Sequence, residues 1–258
     1  MWLGATIVFE ATHSLTHMTE FYRFIPVFSI FTLFISTAFG QSQSPLELWQ
    51  DFDPDAGDFK EEIVSETTRD GIYQRESYIS AYLGDEEIRV FCKYAVKEGA
   101  EKAPGLFNVH GWMSAPSIDM NYVKDGWAVM AHDNCGKTGN RKHYTKYPEK
   151  LRYGNMDKNV GYRVKSKLPD GSFITDPKQT EDYLWYLIQR RVLSYFIAQK
   201  EVDAERIGAS GYSYGGTIMW NLGTDPRVKA IVAYFGVGWL EYYRPRGVWL
   251  YGVANQPP

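Results

Sequence analysis

The run Gly211-Tyr212-Ser213-Tyr214-Gly215-Gly216 leaves this chain few folds to choose from. It follows a short apolar stretch, Arg206-Ile207-Gly208-Ala209-Ser210, and precedes Thr217 to Leu222, which reads as a helix ending near Gly223. A serine flanked by glycines two residues away on each side, set between a strand and a helix, has a steric logic. The turn is sharp enough to push the serine side chain out above the sheet. The residues two before and two after it then approach each other and must be small, as Gly211 and Gly215 are. The helix that follows aims its N-terminus at the serine and favours negative charge developing there. Ser213 is therefore the candidate nucleophile, and Gly211, Gly215 and Gly216 are the residues that let the turn close.

The rest of the pattern supplies a sheet for such a turn. Leu106–Val109, Trp127–Ala131, Arg206–Ser210 and Ala230–Phe235 are short continuous apolar runs, expected of parallel strands buried on both faces. Between the second and third, Lys178 to Gln199 reads as a helix. Leu184, Leu187, Ile188, Val192, Tyr195 and Phe196 share one face, and Asp176-Pro177 supplies the start signal. Alternation of strands and helices predicts a doubly wound α/β sheet. Tyr73–Leu83 and Ile88–Val96, separated by Gly84-Asp85-Glu86-Glu87, predict an antiparallel hairpin at its edge. Residues 41–70 read as an acidic entry segment. Its Asp51, Asp53, Asp55 and Asp58 lack the glycine and distal glutamate of a calcium loop, so they are expected to be solvated. Residues 137–170 form a basic insertion, with ten Lys or Arg against Glu149, Asp157 and Asp170. It reads either as a solvated loop or as one that flanks the site and favours anionic substrates.

A second chemical signal is His110-Gly111-Trp112, at the end of the first parallel strand. A serine nucleophile of this kind needs two backbone N–H groups aimed at the oxyanion. One comes from the residue after the nucleophile, here Tyr214, and the other from the loop after an earlier strand, here Trp112. His110 precedes Ser213 and reads as a structural hydrogen-bonding residue of that loop, with Gly111, rather than as the base. The segments Leu106–Trp112, Val202–Gly216 and Ala230–Gly236 resemble α/β-hydrolases of the acetyl xylan esterase and dienelactone hydrolase-like group. The chain is also similar to the catalytic domains of prolyl oligopeptidase-type serine peptidases, which favour Ser-Tyr-Gly-Gly at the nucleophile.

The resemblance implies an α/β-hydrolase domain over 71–258: a mostly parallel, doubly wound sheet with an antiparallel N-terminal hairpin. It also implies ester hydrolysis through an acyl-enzyme, on a small-molecule or carbohydrate ester. In that fold the triad runs serine, acid, histidine along the chain. Here the last histidine is His143, and the only carboxylates after Ser213 are Asp225 and Glu241. The sheet is therefore expected to be incomplete at its C-terminal side, and the chain to be an N-terminal fragment, inactive alone for lack of its histidine. For a peptidase of the second type, the stretch from Gln41 to His110 is too short for a propeller of roughly four to eight four-stranded blades. A hydrolase-like binding domain without catalysis is a third reading. Against it stands a serine held between glycines for no other chemical reason.

The N-terminal 40 residues are of another kind. From Met18, a single Arg23, an apolar run from Phe24 to Phe39 and the small-x-small pattern Ala38-Phe39-Gly40 have the layout of a secretory signal, with Met18 as the true start. The run is shorter than the ~20 residues of a membrane span, so no stable anchor is expected after cleavage; an uncleaved anchor is the alternative. Export to an oxidising compartment would allow Cys92 and Cys135 to pair, and two buried thiols is the alternative. With a net charge of −3 there is no basic field to suggest a nucleic-acid partner. Neither CxxC nor a helical histidine pair points to a metal, and no cofactor is implied. Aromatic residues make up 16% of the chain, which suits either a sugar-lined groove or a crowded core. The pattern implies no particular oligomeric state.

Overall fold

The computed structural model describes residues 46–137, 140–151, 178 and 181–236. The expected leader, the Asp176-Pro177 helix start and positions 152–170 of the basic insertion lie outside the described residues.

Among the described residues, seven strands form one mixed sheet: β1 (Glu62–Arg69), β2 (Ile72–Leu83), β3 (Glu86–Lys97), β4 (Ala103–Val109), β5 (Ala128–His132), β6 (Val202–Tyr212) and β7 (Val228–Tyr234). Their order is β1-β2-β3-β5-β4-β6-β7. The four strands β5-β4-β6-β7 run parallel, and β1, β2 and β3 continue the sheet antiparallel to their neighbours. The expected hairpin is therefore there, pairing Leu83 with Glu86 through Ile72 with Lys97, but β1 extends it to three strands. The acidic entry segment thus ends in a strand. Its Asp51, Asp53, Asp55 and Asp58 are exposed, while Trp49 is buried.

Both faces of β4 and β5 are covered, whereas β7, expected to be buried on both faces, has no buried residue and leaves Val232 and Tyr234 exposed. Alternate residues point to opposite faces, so Phe107, Val109 and Met130 join the main core while Leu106 and Val129 join a smaller one. The smaller core packs under the short helix α1 (Met120–Lys124) through Val123. The main core is built on α2 (Glu181–Ile197) and α3 (Tyr214–Leu222). The six residues expected on one face of α2 are all buried, but so are Gln189, Arg190, Arg191 and Ser194. The entry segment covers the second face. Arg191 donates to the carbonyls of Ser80, Pro54 and Gly57 at 3.0, 2.8 and 2.9 Å and lies 3.9 Å from the Phe59 ring centre. Arg190 lies 4.3 Å from the Trp49 ring centre and pairs with Asp225 at 3.0 Å. A buried guanidinium needs partners for its donors: backbone carbonyls meet those of Arg191, and Asp225 and Thr224 accept from Arg190, whose Nε alone has no partner. Cys92 and Cys135 are both buried thiols with no disulfide between them, so of the two expectations the buried thiols hold and the disulfide does not. Burial pushes the Cys92 thiol far up, which keeps it protonated and inert.

Candidate active site

Strand β6 delivers the nucleophile at its C-terminal end. Ser213 sits at φ +57°, ψ −116°, between the strand and α3. A non-glycine residue held there stores roughly 1–3 kcal/mol of backbone strain, which the surroundings must over-determine. They do so by backbone contact. A Cβ on Gly211 would stand 2.2 Å from the Gly215 carbonyl oxygen, and one on Gly215 would stand 2.2 Å from the Val109 carbonyl oxygen of β4. A Cβ on Gly216 would stand 2.6 Å from the Tyr234 carbonyl oxygen of β7. The three glycines thus press the turn onto strands on both sides. The Ser213 N–H donates to Tyr234 O at 2.8 Å, and Thr217 N–H closes the first helical turn on Ser213 O at 3.1 Å.

The His110-Gly111-Trp112 turn at the end of β4 lies against this elbow. A Cβ on Gly111 would be 3.1 Å from Tyr212 O and 3.3 Å from the Ser213 Cβ. The side chains of the two expected oxyanion donors meet: Trp112 and Tyr214 are edge to face at 5.9 Å between ring centres. Trp185 of α2 contacts them at 5.3 and 5.1 Å. One buried aromatic group thus ties the β4 turn, the start of α3 and helix α2 together. Sequence reasoning did not find Trp185, which falls outside the six residues expected on one face of that helix and whose contacts with Trp112 and Tyr214 are long-range.

His110 is buried and engaged at both ring nitrogens. Asn134 N–H donates to Nε2 at 3.3 Å, which leaves Nδ1 as the protonated nitrogen, donating to Gly111 O at 2.7 Å. The Asp133 carboxylate lies 3.5 Å from Nε2 and accepts from Cys135 N, Thr145 N and Arg141. Cys135 Sγ in turn accepts from Met113 N at 3.3 Å, so the loop after β5 grips the turn after β4 at two points. His132, at the end of β5, is fully buried and stacks on Phe107 at 5.2 Å. Burial, with help from neighbouring His110, pushes its pKa down to about 3, so it is neutral at ordinary pH. His143 stacks on Phe91 at 5.6 Å and reaches Tyr78 OH at 3.5 Å, on the antiparallel side of the sheet.

The family model Acetyl xylan esterase (AXE1) matches residues 47–246. No curated protein matches the chain by sequence. Among solved structures, the acetyl xylan esterase from Paenibacillus sp. R4 is similar at 20% identity, with 76% of this chain and 58% of that one covered and a TM-score of 0.55. Acetyl xylan esterase 1 from Thermoanaerobacterium sp. JW/SL YS485 is similar at 22% identity, with 69% and 52% covered and a TM-score of 0.49. The chain thus spans little more than half the length of these structures.

Proposed function

The chain belongs to the acetyl xylan esterase family of α/β-hydrolases, and we propose that it is the nucleophile-bearing part of a serine esterase acting on acetylated carbohydrate. The observation that carries this reading is Ser213, held in a left-handed conformation by three glycines packed against backbone. Ser213 Oγ attacks the ester carbonyl as a histidine takes its proton. The carbonyl oxygen becomes an oxyanion facing the N–H groups of Tyr214 and Trp112, each worth about 3 kcal/mol of transition-state stabilisation. The alcohol leaves with the histidine's proton. Water then hydrolyses the acyl-serine and restores Ser213.

His110 takes no part in proton transfer in this proposal, because its Nε2 lone pair already accepts from Asn134. His132 takes none either, being shut off from any substrate by burial. Residues 1–258 alone, whose last histidine is His143, therefore turn over esters only at a residual level. The test is chemical rescue. Added imidazole should accelerate 4-nitrophenyl acetate hydrolysis by this chain, and Ser213→Ala should reduce the rate to that of imidazole alone. Equal imidazole-dependent rates with serine and with alanine would sink the proposal. The layout of residues 18–40 supports export of the protein. Recovery of the intact leader in a cytoplasmic fraction would count against it.

A further inference from the structure

The mechanism uses neither of the two thiols in this chain. Cys92 sits inside the main core, where its Sγ reaches the Val90 carbonyl at 3.8 Å. Cys135 is placed differently. It is buried against the turn after β4, and its Sγ accepts from the Met113 N–H at 3.3 Å. That turn suits its own residues badly. Ser114 N–H donates to Gly111 O at 3.3 Å, which closes a β-turn over Gly111–Ser114. Of its two central residues, Trp112 and Met113, the second alone has a positive φ, of +54°. This is the type II form, whose third position favours glycine. Type I, which most residues can adopt, differs from it by a half-turn of the peptide between the two central residues. The N–H of that peptide is the Met113 N–H. Methionine stands here in a conformation unusual for its type, which persists only where the surroundings over-determine it. Among the described residues, its side chain packs into neither core.

We infer that Cys135 is a positioning residue: its thiol holds this turn in the type II form, and with it the Trp112 N–H assigned to the oxyanion. A half-turn of the Trp112–Met113 peptide would withdraw the Met113 N–H from the sulfur, so an acceptor at that place favours type II over type I. The thiol is itself anchored. Cys135 N–H donates to the Asp133 carboxylate at 3.3 Å, which also accepts from Thr145 N–H at 2.7 Å and from Arg141 at 3.2 Å. Tyr147 OH donates to Asn134 O at 2.6 Å. The sulfur thus stands on a stretch of the loop after β5 that is pinned at successive residues. At the start of the turn, His110 Nδ1 and Ser114 N–H both donate to Gly111 O, which sets the plane of the Gly111–Trp112 peptide. Being planar and trans, that peptide aims Trp112 N–H the opposite way from Gly111 O. Cys135 fixes the next plane along. Trp112 lies between the two planes and keeps a single backbone conformation while both are held. The inference takes from the esterase reading what the turn is for; what holds the turn is tested without turnover.

The test pairs amide exchange with imidazole-rescued turnover in the 258-residue chain. Cys135→Ala removes the acceptor, and Cys135→Ser keeps one at nearly the same place. With alanine the Met113 amide should exchange faster. The rescued kcat on 4-nitrophenyl acetate should fall roughly tenfold, a part of what a lost oxyanion donor costs, with KM unchanged. With serine both readouts should return to those of the parent. The decisive background is Met113→Gly, since glycine suits the third position of a type II turn. There Cys135→Ala should cost roughly threefold or less, because the turn no longer depends on the thiol. Unchanged Met113 exchange in Cys135→Ala overturns the inference. So does an equal loss of kcat with alanine and with serine, or a loss that Met113→Gly does not reduce, as a side chain that merely fills space would give. Rescued turnover that ignores Ser213, with Met113 exchange still set by Cys135, would instead uphold the thiol's hold on the turn and remove the esterase reading.

Discussion

The two halves of the sheet are held by opposite means. Around Ser213, in the parallel half, order comes from the lack of side chains: glycines let backbone meet backbone, and a single methyl group would intrude on a carbonyl oxygen at 2.2 Å. In the antiparallel half, order comes from side chains. Lys60–Glu87, Arg89–Glu62 and Lys93–Glu76 pair at 3.2, 3.2 and 2.8 Å along β2, β3 and their flanks. Arg75 lies among Tyr94, Tyr195 and Glu61. A site built from backbone contact is rigid and intolerant of change, as suits a nucleophile that must not move. An edge built from exposed pairs tolerates substitution one residue at a time.

The largest expected effect tests the first half of that statement. Gly215→Ala pushes a Cβ against Val109 and His110 backbone, neither of which can yield without distorting β4. We expect a loss of about 4 kcal/mol or more in urea unfolding, beyond the usual range for a single substitution. Hydrogen exchange should locate the loosened amides in β4 and β6 rather than in β1–β3. A loss under about 1 kcal/mol would show that the elbow can relax.

The next effect is one of pH. His132 is buried neutral, with its pKa lowered from 6.5 to about 3. Between those values the unfolded chain binds a proton that the folded chain refuses. Stability therefore rises with pH in that window and levels off above 6.5, with a slope of about 1.4 kcal/mol per pH unit. On going from pH 6.5 to 5, His132→Leu should lose about 2 kcal/mol less than the parent. Parallel curves for the two proteins would mean that the imidazole finds a partner or water in solution.

Substituting the nucleophile should work in the other direction. Ser213→Gly replaces a strained residue with one that tolerates φ +57°, and should stabilise the chain by about 1 kcal/mol. It should also abolish the imidazole-rescued turnover. A destabilised Ser213→Gly chain would mean that the side chain contributes contacts outweighing the strain.

The same contrast explains what the sequence disclosed. The elbow was legible because its requirement is local: Gly211, Gly215 and Gly216 stand in a row with the serine. Six of the seven described strands were legible from their apolar residues, although β7, expected to be buried on both faces, buries none of its side chains. β1 was not, since Glu62–Arg69 is an edge strand with almost every side chain exposed and so carries no hydrophobic period. Helix α2 was found, but its burial all round was not, because Arg190 and Arg191 look like a solvated face until Trp49 and Phe59 fold over them. The contacts of His110 with Asn134 and Asp133 span more than twenty residues and leave no local trace. Nor does the residue type at Met113 or Phe235 announce a positive φ.

The smallest effect tests the antiparallel half. Lys93 and Glu76 face each other across the β2–β3 ladder at 2.8 Å, each about one-third exposed. Such a pair contributes at most about 1 kcal/mol, because water screens the charges and both long side chains lose freedom. Glu76→Gln and Lys93→Gln should each cost about 0.5 kcal/mol, and the double-mutant cycle should give a coupling of similar size. The coupling should shrink as salt is raised from 0.05 M to 1 M, where the screening length falls to about 3 Å. A coupling above about 2 kcal/mol that ignores salt would erase the contrast, because the edge would then be held as rigidly as the elbow. Salt should thus weaken this edge while leaving the backbone contacts around Ser213 as they are, which carry no ionic partner to screen.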